Sequence, residues 1–73
     1  MYIMKWNTKD YRDGRFVALD DNSGGYPFDV EKFNNAVEIW QSLEKALEYQ
    51  KMFEYLNIYE LTISLNIVKS SKS

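Results

Sequence analysis

Hydrophobic and polar positions along the chain follow two periods. From Ser42 to Leu56, SLEKALEYQKMFEYL, apolar residues recur at helical spacing. Leu43, Ala46, Leu47, Gln50 and Phe53 define one face; Glu44, Glu48, Lys51 and Tyr55 define the opposite one. Ser42 is a good N-cap, since its hydroxyl can accept a bond from a free first-turn N–H. Glu44 follows where the helix dipole favours negative charge. Glu48 and Lys51 are spaced to pair on the surface, and Asn57 is a plausible left-handed residue at the helix end. The period then switches to two. In Ile58–Val68, IYELTISLNIV, the residues Tyr59, Leu61, Ile63, Leu65 and Ile67 fall on one face, against Glu60, Thr62, Ser64 and Asn66 on the other. Alternation of that kind predicts a strand with one buried and one solvated face, hence an antiparallel sheet.

The segments before the helix are shorter. MYIMKW alternates Tyr2, Met4 and Trp6 against Ile3 and Lys5, which predicts a strand. Asn7 to Gly14 is polar and ends in Asp-Gly, a turn signal, and Arg15–Leu19 reads as a second strand forming a hairpin with the first. DDNSGG, Asp20 to Gly25, is the most turn-rich stretch, with Gly24 and Gly25 permitting positive φ. Tyr26-Pro27-Phe28 is a short extended piece, and Pro27 predicts an edge position. Asp29 to Gln41 has two readings. One is a helix capped by Asp29, with Val30, Phe33, Val37 and Trp40 on a face. The other is a turn at Asn34-Asn35 followed by a strand, Ala36 to Trp40. The paired asparagines and the apolar run favour the strand.

These elements predict an α+β domain over residues 1–68, with a frayed polar tail at 69–73. A small antiparallel sheet of three to four strands carries one helix, about 42–56, on one face. The long last strand is expected near the sheet centre. The expected core is Leu43, Ala46, Leu47 and Phe53 from the helix, with Trp6, Phe16, Trp40, Leu61, Ile63 and Leu65 from the strands.

Composition narrows the chemistry. The 73 residues make one domain, with neither cysteine nor histidine. Zinc and iron–sulfur sites of the Cys/His kind are therefore excluded, as is hydrolysis with a histidine base. Absence of cysteine fits a reducing cytoplasm. No stretch reaches the length of a membrane span, and the N-terminal residues do not resemble a signal peptide. Nine basic and eleven acidic residues give a net charge of −2, which argues against direct nucleic-acid binding. Carboxylates are plentiful at Asp20, Asp21, Asp29, Glu31, Glu38, Glu44 and Glu48, but none pairs in a catalytic motif, so no enzyme and no cofactor is expected. Arg12 and Arg15 flank Asp13-Gly14 and could bind an anion, although two arginines in a turn are ordinary.

Asp20 to Glu31, DDNSGGYPFDVE, resembles an EF-hand calcium loop: Asp20, Asn22, Gly25 and Glu31 match its first, third, sixth and twelfth positions. Gly24 replaces the fifth-position ligand, Phe28 takes the ninth position, and Pro27 sits in the central β segment. A Gly-rich hairpin loop is the simpler reading. The other candidate is an interaction surface. The acidic bias of Glu31, Glu38, Glu44, Glu48, Glu54 and Glu60, diluted by Lys32, Lys45 and Lys51, could imitate nucleic-acid phosphates in the basic groove of another protein. Met52 and Tyr55 are candidate contact anchors.

AVEIWQSLEKA, Ala36 to Ala46, together with GRFVALDDNSGGYPF before it, resembles small histidine-poor α+β proteins of phages and mobile elements. Some of these inhibit host defence systems, as anti-CRISPR and anti-restriction proteins do, by binding one host protein stoichiometrically. The resemblance implies a phage-encoded inhibitor of a host defence nuclease or related nucleic-acid enzyme, acting in the host cytoplasm. It transfers no functional residue. The side chains expected to bind a partner are Glu44, Glu48, Met52 and Tyr55 on the helix, with Asp20, Asp21 and Tyr26 in the loop. The alternative is a homo-oligomeric accessory module, such as a homodimer, built through an open sheet edge or an aromatic patch.

Overall fold

A computed structural model describes residues 1–62. The expectations for Ile63, Ser64, Leu65, Asn66, Ile67 and the 69–73 tail lie outside them. Strands β1 (Tyr2–Trp6), β2 (Phe16–Asp20), β3 (Tyr26–Val30) and β4 (Leu56–Glu60) form one antiparallel sheet in the order β3-β2-β1-β4. Among the described residues the single α-helix, α1 (Leu43–Met52), contacts β1 and β4. The α+β class, the hairpin of the first two strands and the edge position of Pro27 in β3 are as the sequence predicts. β4 is not central: it lies at the other edge of the described sheet, beside β1.

β1 and β2 share one register pair, Lys5 opposite Phe16, closed by Trp6 N–H donating to the Arg15 carbonyl at 2.9 Å. Beyond it the strands part, and residues 37–40 bond to both. Tyr2 and Trp40 exchange two backbone hydrogen bonds of 2.8 Å, while Glu38 N–H donates to the Val17 carbonyl. Val37 lies opposite Ala18, and Trp40 opposite Tyr2. Residues 29–41 are therefore not a helix, and of the turn-and-strand reading the turn is present while the strand is not continuous. Asp29 and Val30 complete β3, and Asn34 starts a turn in which its side-chain oxygen accepts from Ala36 N–H at 2.8 Å. The stretch from Val37 to Trp40 makes two isolated bridges, not a continuous strand, because its partners belong to two diverging strands.

The main core joins Met4, Trp6, Val17, Trp40, Ala46 and Leu56, with Tyr2, Leu19, Tyr49, Phe53 and Ile58 packed against it. Trp6, Trp40, Ala46 and Phe53 match the expectation. Leu43 and Leu47 do not: they are 45% and 44% exposed, while Ala46 is sealed and Tyr49 and Gln50 are half-buried. The helix is rotated so that small Ala46 meets the sheet and bulky Tyr49 and Phe53 flank it. The alternation of β4 has the opposite sense from that predicted. Its register with β1 sets Leu56 opposite Trp6 and Ile58 opposite Met4 on the core side, and turns Tyr59 to the other face opposite Ile3. That face carries its own small apolar layer. Ile3, Ala18 and Val37 are buried there, Phe16 meets Phe33 edge-on at 5.6 Å, and Lys5 Nζ sits 5.0 and 5.3 Å from the Phe16 and Tyr59 rings.

Local signals fix the element ends. Ser42 caps α1 as expected, its hydroxyl accepting from Lys45 N–H at 3.3 Å. The helix stops at Met52, four residues earlier than predicted, and Phe53 is its C-cap. Asn57 is not left-handed but lies within β4. Gln50 reaches across this junction to donate to the Leu56 carbonyl at 2.7 Å, which ties helix to strand. Glu48 and Lys51 form no ion pair. The pairs among the described residues are Arg12–Asp10 and Arg15–Asp29. Leu56→Ala should cost about 2–5 kcal/mol in urea unfolding, since it opens a sealed site. Leu43→Ala and Leu47→Ala should cost roughly 1 kcal/mol or less each, since both side chains are already half in water. Equal losses at all three positions would contradict the rotated helix face.

Candidate functional site

Among the described residues, two hollows flank α1. The β2–β3 hairpin forms one wall of the first. Asp20 caps a short 3₁₀ turn, Asp21–Ser23, accepting from Asn22 N–H at 3.0 Å and from the Ser23 hydroxyl at 2.7 Å. Gly24 and Gly25 then reverse the chain at φ 77° and 87°, the left-handed region that other residues avoid. The reversal delivers Tyr26 beside the helix. Leu19, the two glycines, Tyr26, Tyr49, Met52 and Phe53 line a cleft of about 470 Å³. On the other side of Tyr49 and Met52, a groove of about 660 Å³ runs between α1 and residues 38–42, with Glu38, Trp40, Lys45 and Glu48 among its walls.

Aromatic contacts hold both hollows in shape. Tyr49 packs on Trp40 at 5.4 Å and on Phe53 at 5.0 Å, and Tyr26 meets Phe53 edge-on at 5.8 Å. Phe53 also touches Tyr55, which stacks on Trp6 at 5.3 Å. Arg12 lies over the Trp6 ring at 4.6 Å, and Asp10 grips the same guanidinium at 2.7 Å. Asp10 is held well below the usual carboxylate range by the Arg12 side-chain bonds first, then by the Arg12 N–H and the Thr8 hydroxyl. Arg15 pairs with Asp29 at 3.3 Å. Both arginines thus have carboxylate partners inside the molecule, as ordinary turn arginines do.

The structure sorts the expected contact residues. Met52 and Tyr26 stand out at 67% and 63% exposed and border the same cleft, although they are far apart in sequence. Glu48 lines the larger groove, while Glu44 is exposed on the helix and lines neither hollow. Asp21 is exposed in the loop, and Asp20 is occupied with capping it. Tyr55 is not on the helix: it lies in the turn beyond, with its ring committed to Trp6. The calcium-loop likeness does not survive the topology. Asp20 and Glu31 sit at opposite ends of β3, whose five residues span about 17 Å. Among the described residues, no three acidic groups come together as metal ligands do.

Trp40 and Tyr49 were absent from the expected site, and Glu38 entered it only through the acidic bias of the surface. Tyr49 had a local signal: it falls at helical spacing from Ala46 and Phe53, both on the predicted face, and displaces Leu43 and Leu47 from it. Glu38 and Trp40 reach the groove because residues 37–40 fill the gap between two strands. A scan against protein-family models gives no match, and searches of the curated proteins and of the solved structures give none either.

The Tyr49 hydroxyl donates to the Gly25 carbonyl at 2.7 Å, tying the helix to the hairpin. Burial pushes its pKa up to about 12, helped by Tyr55 and the Glu38 charge. A tyrosine free in the unfolded chain ionises near 10. The native state therefore holds this proton longer, and the contribution to stability, complete below about pH 10, declines as pH rises towards 12. An ultraviolet phenolate titration should show one late step, which Tyr49→Phe removes. Persistence of that step in the variant would assign it to another tyrosine.

Proposed function

We propose that this protein is non-enzymatic and works by binding another protein through the surface formed by the β2–β3 hairpin and the C-terminal half of α1. The observation that carries the reading is the pairing of Tyr26 and Met52. Both are large, largely exposed and set on either side of an apolar cleft. Burying side chains of this kind contributes roughly 1.5–3 kcal/mol each. Aromatic and methionine side chains are enriched in the buried centres of interfaces. Glu48 beside them, with Glu44 and Asp21 further out, forms an acidic surround that would favour a basic partner surface.

The partner class follows from the sequence resemblance to small phage and mobile-element proteins. On that reading the chain is a stoichiometric inhibitor of a host defence nuclease or related nucleic-acid enzyme, acting in the host cytoplasm, and its acidic surround meets a surface built for phosphates. Among the described residues, no helix is long and apolar enough to cross a membrane. A second reading, a homo-oligomeric accessory module, is favoured by one observation: Phe28, Phe33 and Tyr59 are all more than 40% exposed around the sheet face opposite α1.

The test is affinity capture from a bacterial lysate with three baits: wild type, the pair Tyr26→Ala and Met52→Ala, and the charge reversal of Glu44 and Glu48. A dominant captured nuclease should be lost with the first pair and weakened by the second, with circular dichroism unchanged in both. Undiminished capture of that protein by the Tyr26/Met52 bait would refute the proposed surface. Light scattering after gel filtration decides the second reading, which requires a mass above that of one chain.

A further inference from the structure

The two edges of the sheet are not alike. The β3 edge carries Pro27, which has no N–H to offer an added strand. The β4 edge has no such guard. Asn7 N–H donates to the Tyr55 carbonyl at 2.7 Å and Leu61 N–H to the Met1 carbonyl at 2.8 Å, so the odd-numbered residues of this stretch face β1. Leu56, Ile58 and Glu60 therefore point their backbone groups away from the sheet. Leu56 is closed off within the chain: its N–H donates to the Phe53 carbonyl at 3.2 Å, and its carbonyl accepts from the Gln50 side chain at 2.7 Å. Ile58 and Glu60 have no backbone partner on that side among the described residues. The Gln50 bond also fixes which flank of α1 overlooks this edge. Leu43, Leu47 and Gln50 fall on one stripe of the helix, away from the groove residues Lys45, Tyr49 and Met52. Leu43 and Leu47 are the two core leucines predicted from the sequence that the single chain leaves 45% and 44% exposed.

Resting on the oligomeric reading above, we propose that a second copy of this chain adds its own β4 to this edge, antiparallel, so that two sheets join across a two-fold axis. One register suits both copies. Ile58 of each chain exchanges backbone bonds with Glu60 of the other, and the two Tyr59 side chains face each other at the axis, in the close pairing that suits aromatic rings. A shift towards Leu56 calls on groups that Phe53 and Gln50 already hold. A shift towards Thr62 sets Glu60 opposite its own copy, a like-charge pair. The axis stands perpendicular to the sheet, so both helices lie on the same side. The Leu43–Leu47 flank of each then turns towards that of the other. An unrelated strand would satisfy the backbone groups and leave the leucines in water; a second copy covers both.

The test is sedimentation of the whole protein from about 1 µM to about 1 mM, with amide hydrogen exchange at both ends of that range. The mass should rise with concentration from 8.7 kDa towards twice that value. Protection of the Ile58 and Glu60 amides should rise in step. Glu60→Pro removes an outward N–H without touching the β1 ladder. Leu43→Glu with Leu47→Glu sets like charges across the axis. Each change should weaken self-association at least about tenfold with circular dichroism unchanged. The small losses expected above for alanine at these leucines are those of the single chain. A monomer at every concentration would overturn this inference and the oligomeric reading together. A dimer whose Ile58 and Glu60 amides exchange freely, or one that survives the leucine pair, would keep that reading and overturn the β4 interface. Protection of the two amides at every concentration in a monomer would assign the edge to the chain's own residues and overturn it as well. If Glu60→Pro does not fold, the leucine pair decides.

Discussion

Two hydrogen bonds between Tyr2 and Trp40 hold the layers of this protein in place. β1 and β2 part after a single register pair, which would leave backbone donors and acceptors of both strands facing a gap. Buried backbone groups must be paired, or each costs about 1–3 kcal/mol. Residues 37–40 supply partners to both sides. In doing so they bring Trp40 into the main core and end beside the Ser42 cap. The helix can only start where this segment lets it, so its position over β1 and β4 follows from a connection, not from a strand.

From Trp40 outward, the candidate surface is continuous with the core. Trp40 supports Tyr49, Tyr49 supports Phe53, and Phe53 supports both Tyr26 and Tyr55. A chain of edge-on and tilted rings of this kind contributes about 0.5–1.5 kcal/mol per contact beyond area burial. It also restrains the exposed members before any partner arrives, and a pre-organised surface loses less entropy on binding. The Tyr49 hydroxyl adds a polar tie to Gly25, so hairpin and helix present one surface and not two independent ones.

Trp6 shows the cost of this arrangement. Its indole nitrogen is buried and finds no acceptor among the described residues. The ring is compensated on its faces, by Tyr55 and by Arg12, and not at its edge. Asp10 fixes the guanidinium in turn, so the polar β1–β2 loop acts as a lid on the core and not as a free anion site.

The sequence by itself determined the α+β class, the hairpin turns at the glycines, the Ser42 cap and the edge position of Pro27. Each of these is set by a residue's own backbone or capping chemistry, which needs no distant partner. The exposure of Met52 was legible because it falls on the nominal outer face of the helical pattern. Tertiary structure alone decided which of the helical positions of α1 are buried, the inward side of β4, the role of residues 37–40 and the placing of Glu38 and Glu48 along one groove. Leu43–Ala46–Leu47 and Ala46–Tyr49–Phe53 are overlapping helical sets that share Ala46, and an alternating strand reads equally well from either face. Only packing chooses between them, because the close approach of helix to sheet favours the small Ala46 at the contact and sends Tyr49 to the rim, where the groove begins.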